Sequence, residues 1–109
     1  MAKNSAIAAT FYIDKKKHVI GFCIKDHGKS IVCAGVSALA LNAVNSIDAL
    51  TATKYDLNYE PTGGFLSFKL KTKSEDAILL LNSLKLGIDN LKKEYPTDIS
   101  IIEEEVLIC

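Results

Sequence analysis

Cys33 is the residue whose type and position best suit covalent chemistry. It follows Ser30 at the start of an uncharged, mostly apolar stretch that runs from Ser30 to Ile47. A Ser before such a stretch is typical of a helix N-cap, because its hydroxyl accepts from an otherwise unpaired backbone N–H. Cys33 then falls in the first helical turn, where unpaired amides and the helix dipole favour a thiolate. The alternative is a small apolar core residue, the commoner role of a Cys outside a disulfide.

Two histidines, His18 and His27, supply the imidazoles of the chain. A Cys nucleophile needs a neighbouring base, and imidazole is the usual one. His27 lies six residues before Cys33, so a reversal of the chain between them could bring the two side chains together. His18 stands at the start of a predicted strand. The alternative role of His27 is that of an ordinary polar turn residue beside Gly28.

Other groups that could carry chemistry give weaker signals. Gly63-Gly64 is interpreted as a hairpin turn, because no phosphate-binding GxxxxGK pattern follows it. The acidic run Glu103 to Glu105 has no second acidic cluster to complete a metal site. We therefore expect no metal and no cofactor. An odd number of irregularly spaced cysteines argues against a disulfide framework and favours a reducing, cytoplasmic location. The cysteines are Cys23, Cys33 and Cys109.

Length and composition exclude several classes of protein. The 109 residues suffice for one domain, predicted over 1–109. Thirteen basic and thirteen acidic residues give zero net charge, and every basic residue is Lys, so direct nucleic-acid binding is not expected. The stretch from Ser30 to Ile47 contains Ser and Asn, which favours a half-buried helix over a membrane span. The polar run Asp14 to Lys17 lies where a secretion signal would have small cleavage-site residues, so secretion is not expected.

Hydrophobic periodicity predicts the elements that would position Cys33. Alternating apolar residues indicate strands, Gly21 marks a bulge or a close backbone approach, and apolar residues at three- and four-residue steps indicate helices. The resulting order ββαββαβ predicts an α+β two-layer sandwich with a mostly antiparallel sheet and both helices on one face. The predicted elements are strands at 7–13 and 19–25, a helix at 31–50, strands at 55–60 and 65–71, a helix between Ser74 and Pro96, and a strand at 99–108.

The segment around Cys33 resembles the signature of the bacterial ribosomal-processing cysteine protease (Prp-like) family. That signature is GHA, a variable loop, and then G-x-D-I-V-C-A-x-x-S. Two later segments are also similar to the family, so the resemblance covers most of the chain. The matching residues are Gly21, Gly28, Ile31-Val32-Cys33-Ala34-Gly35-Val36-Ser37-Ala38-Leu39, then Leu57-Asn58-Tyr59 with Gly63-Gly64-Phe65, and Lys92 to Pro96.

The resemblance implies a homodimeric cysteine endopeptidase that removes an N-terminal extension from a large-subunit ribosomal protein, just after aromatic residues. It implies that Cys33 is the nucleophile, with Ser37 supporting the site from the same helix face one turn later. The family's His corresponds to Phe22, and its Asp before IVC corresponds to Ser30. His27 could replace the imidazole, or Cys33 could act with helix-dipole activation and an oxyanion site at the amides around Ala34.

A catalytically silent homologue is the remaining alternative. Phe cannot accept a proton, so a chain with Phe22 at the family's His position could act as a ribosome-associated binding module. The loop from Lys25 to Lys29 would then be its recognition surface. In both cases the expected partner is a ribosomal-protein peptide, with no membrane involved.

Overall fold

Residues 7–25, 31–60 and 64–107 are described by a computed structural model. The predicted order ββαββαβ is confirmed, although the last three strands end before their predicted limits. The elements are β1 (Ile7–Ile13), β2 (Val19–Lys25), α1 (Ile31–Leu50), β3 (Tyr55–Tyr59), β4 (Phe65–Leu70), α2 (Glu75–Glu94) and β5 (Ile99–Glu105).

Several predicted features lie outside the described residues. They are the N-cap Ser30, the base His27 and its loop, the turn residues 61–63, and Cys109. By contrast, the predicted cap of α2 is described and confirmed. The Ser74 side chain accepts from the Ala77 N–H at 3.3 Å, and α2 ends at Glu94, just before Pro96.

The five strands form one mixed sheet in the order β3-β4-β2-β1-β5. β1 pairs with β2, β2 with β4, and β4 with β3, all antiparallel, whereas β5 runs parallel to β1. The prediction of a mostly antiparallel sheet is therefore confirmed. The acidic run Glu103 to Glu105 belongs to β5 itself and lies beside the second half of β1.

Three phenylalanines mark the face of the sheet that the helices cover. Phe11, Phe22 and Phe68 lie opposite one another across β1, β2 and β4, and all three are fully buried. The Lys85 ammonium of α2 lies 5.8 Å from the centre of the Phe11 ring. Because side chains opposite each other in a sheet share a face, this row packs under the helices.

The two helices pack side by side in antiparallel directions. A Cβ on Gly35 would lie 3.5 Å from Leu91, and one on Gly87 would lie 3.1 Å from Leu39. By length and composition α1 could cross a membrane. Its buried side chains instead belong to the core cluster shared with the sheet, as predicted for a half-buried helix. They are Val32, Cys33, Val36, Ala40, Ala43, Val44 and Ile47.

Gly21 is a point of close backbone approach, which is one of its two predicted roles. A Cβ at this position would lie 2.5 Å from the Phe68 carbonyl oxygen and 3.2 Å from a ring carbon of Tyr12. The irregularity of this hairpin is next to Gly21, because Tyr12 pairs with Gly21 and Ile13 with Val19, which leaves Ile20 as the extra residue of β2. Any side chain here would therefore push β4 away from β2.

Asp14, the first residue of the polar run Asp14 to Lys17, is buried. Its side chain is only 4% exposed, and its carboxylate contacts the Lys73 ammonium at 2.9 Å. It also accepts from the backbone N–H groups of Lys16 and His18, both at 2.9 Å. These contacts tie the β1–β2 turn to the segment before α2. The Lys73 ammonium above all, with the two N–H donors, holds the pKa of the Asp14 carboxyl far below its usual range, against the opposing effect of burial.

Candidate active site

Cys33 is the third residue of α1 and is 6% exposed. It lies among buried apolar side chains of the same turn, Val32 and Val36. The first turn of a helix carries backbone N–H groups that have no partner within the helix, so an anion beside it is stabilised. The structure thus places the thiol in the N-terminal helical turn, as predicted, and within the buried core cluster, which is the surrounding of the alternative role.

Phe22 occupies the core under the helix layer. Its ring is fully buried and stacks on Phe68 with the centroids 5.6 Å apart. It belongs to the same buried cluster as Cys33, whereas Cys23 does not. Phe22 therefore lies on the face of the sheet opposite Cys23. At this position the chain has a packing residue that can neither accept nor donate a proton.

His18 is too far along the sheet to serve Cys33. It precedes β2, whereas the segment 26–30 that leads into α1 follows the other end of that strand. β2 has 7 residues, which corresponds to about 20 Å of extended chain. His18 instead contacts Asp14, with its Nδ1 3.2 Å from the carboxylate. His27, the other imidazole of the chain, lies outside the described residues.

An apolar groove begins one helical turn beyond Cys33. It has a volume of about 240 Å³ and lies between α1 and the helix-covered face of β2, β3 and β4. Ser37, four residues after Cys33 and on the same face of α1, lines it. Cys33 itself does not line the groove, so the thiol lies one helical turn before the first lining residue of α1. The lining residues are Ile24, Ser37, Ala40, Leu41, Val44, Asn45, Leu57, Tyr59, Glu60, Phe65 and Leu66.

The lining of this groove has an acidic residue. Within the described part of the chain, Glu60 is the only charged residue of the lining. Its backbone N–H donates to the Phe65 carbonyl at 3.1 Å, which holds it at the base of the β3–β4 turn. One turn beyond Asn45, the Asp48 carboxylate accepts from the Tyr55 hydroxyl at 2.8 Å. Sequence analysis did not single out Glu60 or the groove, because neither follows from a local pattern.

Comparison with known proteins decides the family. The family model for cysteine protease Prp matches residues 6–100. The chain belongs to this family. A ribosomal processing cysteine protease Prp of Staphylococcus aureus strain Mu50 is 32% identical over 77 residues, which cover 70% of this chain and 73% of the relative. The predicted family is thus confirmed.

Solved structures of Prp agree with the fold. The crystal structure of an essential ribosomal processing protease Prp from S. aureus, in complex with a covalently linked product peptide, has a TM-score of 0.84 and 27% identity. A second S. aureus Prp structure, in complex with a substrate peptide, has a TM-score of 0.83 and 25% identity. Each match covers 90% of this chain and 99% of the other.

The other described thiol of this Prp-family chain lies on the opposite face of the sheet. Cys23 is in register with Thr10 and Ser67, one residue out of step with the Phe22 row. It is 4% exposed, and burial is the main effect that raises its pKa. The Lys69 ammonium lies 4.8 Å from the centre of the adjacent Tyr12 ring. Cys23 is therefore separated from Cys33 by the sheet.

Metal-binding chemistry has no site in the described part of this Prp-family chain. No group of three or more His, Cys, Asp or Glu side chains comes together there. The acidic run Glu103 to Glu105 is spread along β5, and Glu103 pairs with Lys85 at 3.4 Å.

Ala34, whose neighbouring amides were predicted as an oxyanion site, is exposed at the start of α1 beside Cys33.

Proposed function

We propose that the chain is a cysteine endopeptidase with Cys33 as its nucleophile and the N-terminal extension of a large-subunit ribosomal protein as its substrate. The observation that carries the proposal is the position of Cys33, in the first turn of α1 and one helical turn before Ser37, which lines an apolar groove. The S. aureus relative is a ribosomal processing cysteine protease, and one S. aureus structure contains a covalently linked product peptide. An apolar groove suits a substrate that is cleaved after aromatic residues.

The chemistry would proceed in two steps. The Cys33 sulfur attacks the scissile carbonyl carbon, and its proton passes to His27. Backbone N–H groups around Ala34 donate to the oxyanion of the tetrahedral intermediate. His27 then protonates the departing amine as the C–N bond breaks and a thioester forms. Water hydrolyses the thioester, releasing the new carboxyl terminus and restoring the thiol.

The other predicted site residues would act indirectly. Gly21 lets β2 and β4 approach, and Phe22 fills the core beneath the helix layer. Ser30 would cap the N-terminus of α1, and Ser37 would form the groove wall next to the thiol. These roles concern position and shape, and none of them requires a proton transfer.

A catalytically silent binding module is the second candidate, and a specific observation favours it. Phe22, which the resemblance places at the family's His position, is fully buried against Phe68 and supplies no imidazole. Catalysis would then depend on His27. A silent homologue would keep the groove, bind the same ribosomal peptide, and release it uncleaved.

Cleavage and peptide binding together test the proposal. A peptide containing an aromatic-rich ribosomal extension should be cleaved under reducing conditions between about pH 6 and about pH 9. Cys33→Ala should abolish cleavage, and His27→Ala should slow it by about 10² to 10⁴. Cys23→Ala is the matched control and should cleave normally, because that thiol lies across the sheet. Absence of cleavage throughout this pH range, with peptide binding retained, would favour the silent module.

Assembly and location belong to the same proposal. We propose a cytoplasmic homodimer in which each copy is one domain over 1–109. The resemblance implies a dimer, and with zero net charge two copies do not repel each other through their overall charge. Sedimentation should give a dimer mass at micromolar concentration. A monomer mass at the concentration used for cleavage would contradict the proposed dimer but not the proposed peptidase activity.

A further inference from the structure

β3 is an edge strand whose outer side has no strand partner in the described part of the chain. Two hydrogen bonds define how its backbone is directed: the Lys71 N–H donates to the Lys54 carbonyl at 2.9 Å, and the Glu60 N–H donates to the Phe65 carbonyl at 3.1 Å. Hydrogen-bonding residues alternate in an antiparallel ladder. The even-numbered residues of β3 therefore bond to β4, and Tyr55, Leu57 and Tyr59 direct their N–H and C=O groups outward.

The residues with outward backbone groups also have side chains on the groove side. Leu57 lies opposite Phe68 and Tyr59 opposite Leu66, on the face that the helices cover, and both line the groove. A chain that pairs with the outer edge of β3 would extend this face. Every second side chain of such a chain would point toward the groove beneath α1.

The two edges of the sheet differ in charge. β5, at the other edge, has Glu103, Glu104 and Glu105 in sequence, which opposes the addition of a strand by like-charge repulsion. β3 has Asp56 as its single charged residue, and Asp56 pairs with Lys71 at 3.4 Å on the opposite face. β3 is therefore the edge open to an added strand.

Size and charge indicate which peptide would fit. A volume of about 240 Å³ lies below the roughly 300 to 1,000 Å³ of pockets for drug-sized ligands, so it suits one or two bulky side chains. The Glu60 carboxylate borders the groove and Asp48 lies beyond its far end. An apolar groove with acidic borders favours a peptide that has a basic residue near its apolar one.

We propose that the substrate binds as an added β-strand on the outer edge of β3, with a bulky apolar side chain in the groove and a Lys or Arg beside Glu60. This inference rests on the proposed peptidase function, and it names how the same site recognises its substrate. Main-chain hydrogen bonds to Leu57 supply sequence-independent affinity. The groove and Glu60 supply the selectivity.

Backbone methylation tests the added strand. The probe is a short blocked peptide with two adjacent phenylalanines flanked by lysines, bound to Cys33→Ala so that no cleavage occurs. N-methylation at successive residues should weaken binding alternately, by about tenfold where the N–H faces β3 and by much less where it faces away. Leu57→Pro should bind more weakly than Leu57→Ala, because both remove the side chain that lines the groove and only proline removes the outward N–H. Equal losses at all positions would overturn the proposal.

Charge exchange tests the role of Glu60. Glu60→Gln should weaken binding of the lysine-flanked peptide about three- to fivefold at low salt, and should leave unchanged the binding of a peptide with glutamines in place of the lysines. Glu105→Gln, on the opposite edge, is the matched control and should bind both peptides as the parent protein does. An equal loss for both peptides would exclude charge selection by Glu60.

The two proposals fail in different ways. Cleavage by the wild type together with position-independent methylation effects would overturn strand addition and leave the peptidase standing. Alternating methylation effects without cleavage would establish strand addition and contradict catalysis. A self-association lost in Leu57→Pro, with peptide binding unaffected, would assign the edge to a second copy of the chain and overturn the proposal.

Discussion

Phe22 links the catalytic question to the packing of the core. Its ring stacks on Phe68 and is fully buried, so a polar replacement removes apolar burial from the centre of the sheet. Imidazole at this position would introduce a base at a side chain that shares a buried cluster with Cys33. The same substitution should therefore affect stability and reactivity in opposite directions.

We predict that Phe22→His lowers the free energy of unfolding by about 1 to 3 kcal/mol and raises the alkylation rate of Cys33. Urea denaturation and iodoacetamide labelling measure the two effects. Phe22→Leu is the control, because it loses the ring stacking, worth about 0.5 to 1.5 kcal/mol, without adding a base. Equal alkylation rates in both variants and the parent would contradict any influence of position 22 on the thiol.

Gly21 is required by its backbone environment, so we predict that Gly21→Ala is destabilising by about 1 to 3 kcal/mol. The added Cβ would meet the Phe68 carbonyl oxygen at 2.5 Å, inside van der Waals contact. Gly35→Ala is the matched control. Gly35 lies within α1, and its added Cβ would lie 3.5 Å from Leu91 of α2, an ordinary contact. Gly35→Ala should therefore be neutral or stabilising by up to about 1 kcal/mol. Thermal unfolding of both variants measures the difference, and equal effects would contradict the steric explanation.

The β1–β2 hairpin, at the scale of an element, depends on an ionised Asp14. Because contacts with Lys73 and two backbone N–H groups lower the pKa of this carboxyl in the folded state, folding favours its charged form. Stability from this group is complete above the unfolded pKa of about 3.9 and is lost as pH falls toward the lower folded pKa. His18 and Lys73 are the ionisable side chains in contact with it.

We therefore predict that the parent protein loses more stability than Lys73→Met when the pH is lowered from about 6 to about 3. Urea unfolding followed across this range measures the difference. Lys71→Met is the control, since Lys71 pairs with the exposed Asp56 and should leave the acid dependence nearly unchanged. Parallel pH profiles for the parent and Lys73→Met would contradict the role of this ion pair.

At the scale of the whole molecule, the sheet decides how the thiols behave. Cys33 lies in the helix layer, one turn before the groove residue Ser37, whereas Cys23 lies across the sheet beside Tyr12, with a pKa raised mainly by burial. In a Cys109→Ser background at neutral pH, Cys33 should react with iodoacetamide at least about tenfold faster than Cys23. In concentrated urea the two rates should become similar. Mass spectrometry of the labelled peptides measures both, and faster native labelling of Cys23 would contradict the site.

The sequence by itself determined the element order, the position of Cys33 in the first turn of a helix and the family. Each of these is a local property, because strand alternation, helical periodicity, N-capping and a short motif extend over few residues. The cap at Ser74 and the end of α2 before Pro96 were predictable for the same reason.

Only the tertiary structure decided the sheet order β3-β4-β2-β1-β5, the burial of Asp14 and the groove beside α1. Each depends on residues distant in sequence. Lys73 reaches Asp14 from the segment before α2, and β5 joins β1 from the other end of the chain. The groove needs α1 and the β3–β4 hairpin together. No local pattern encodes such contacts, because their energy comes from the packing of whole elements against one another.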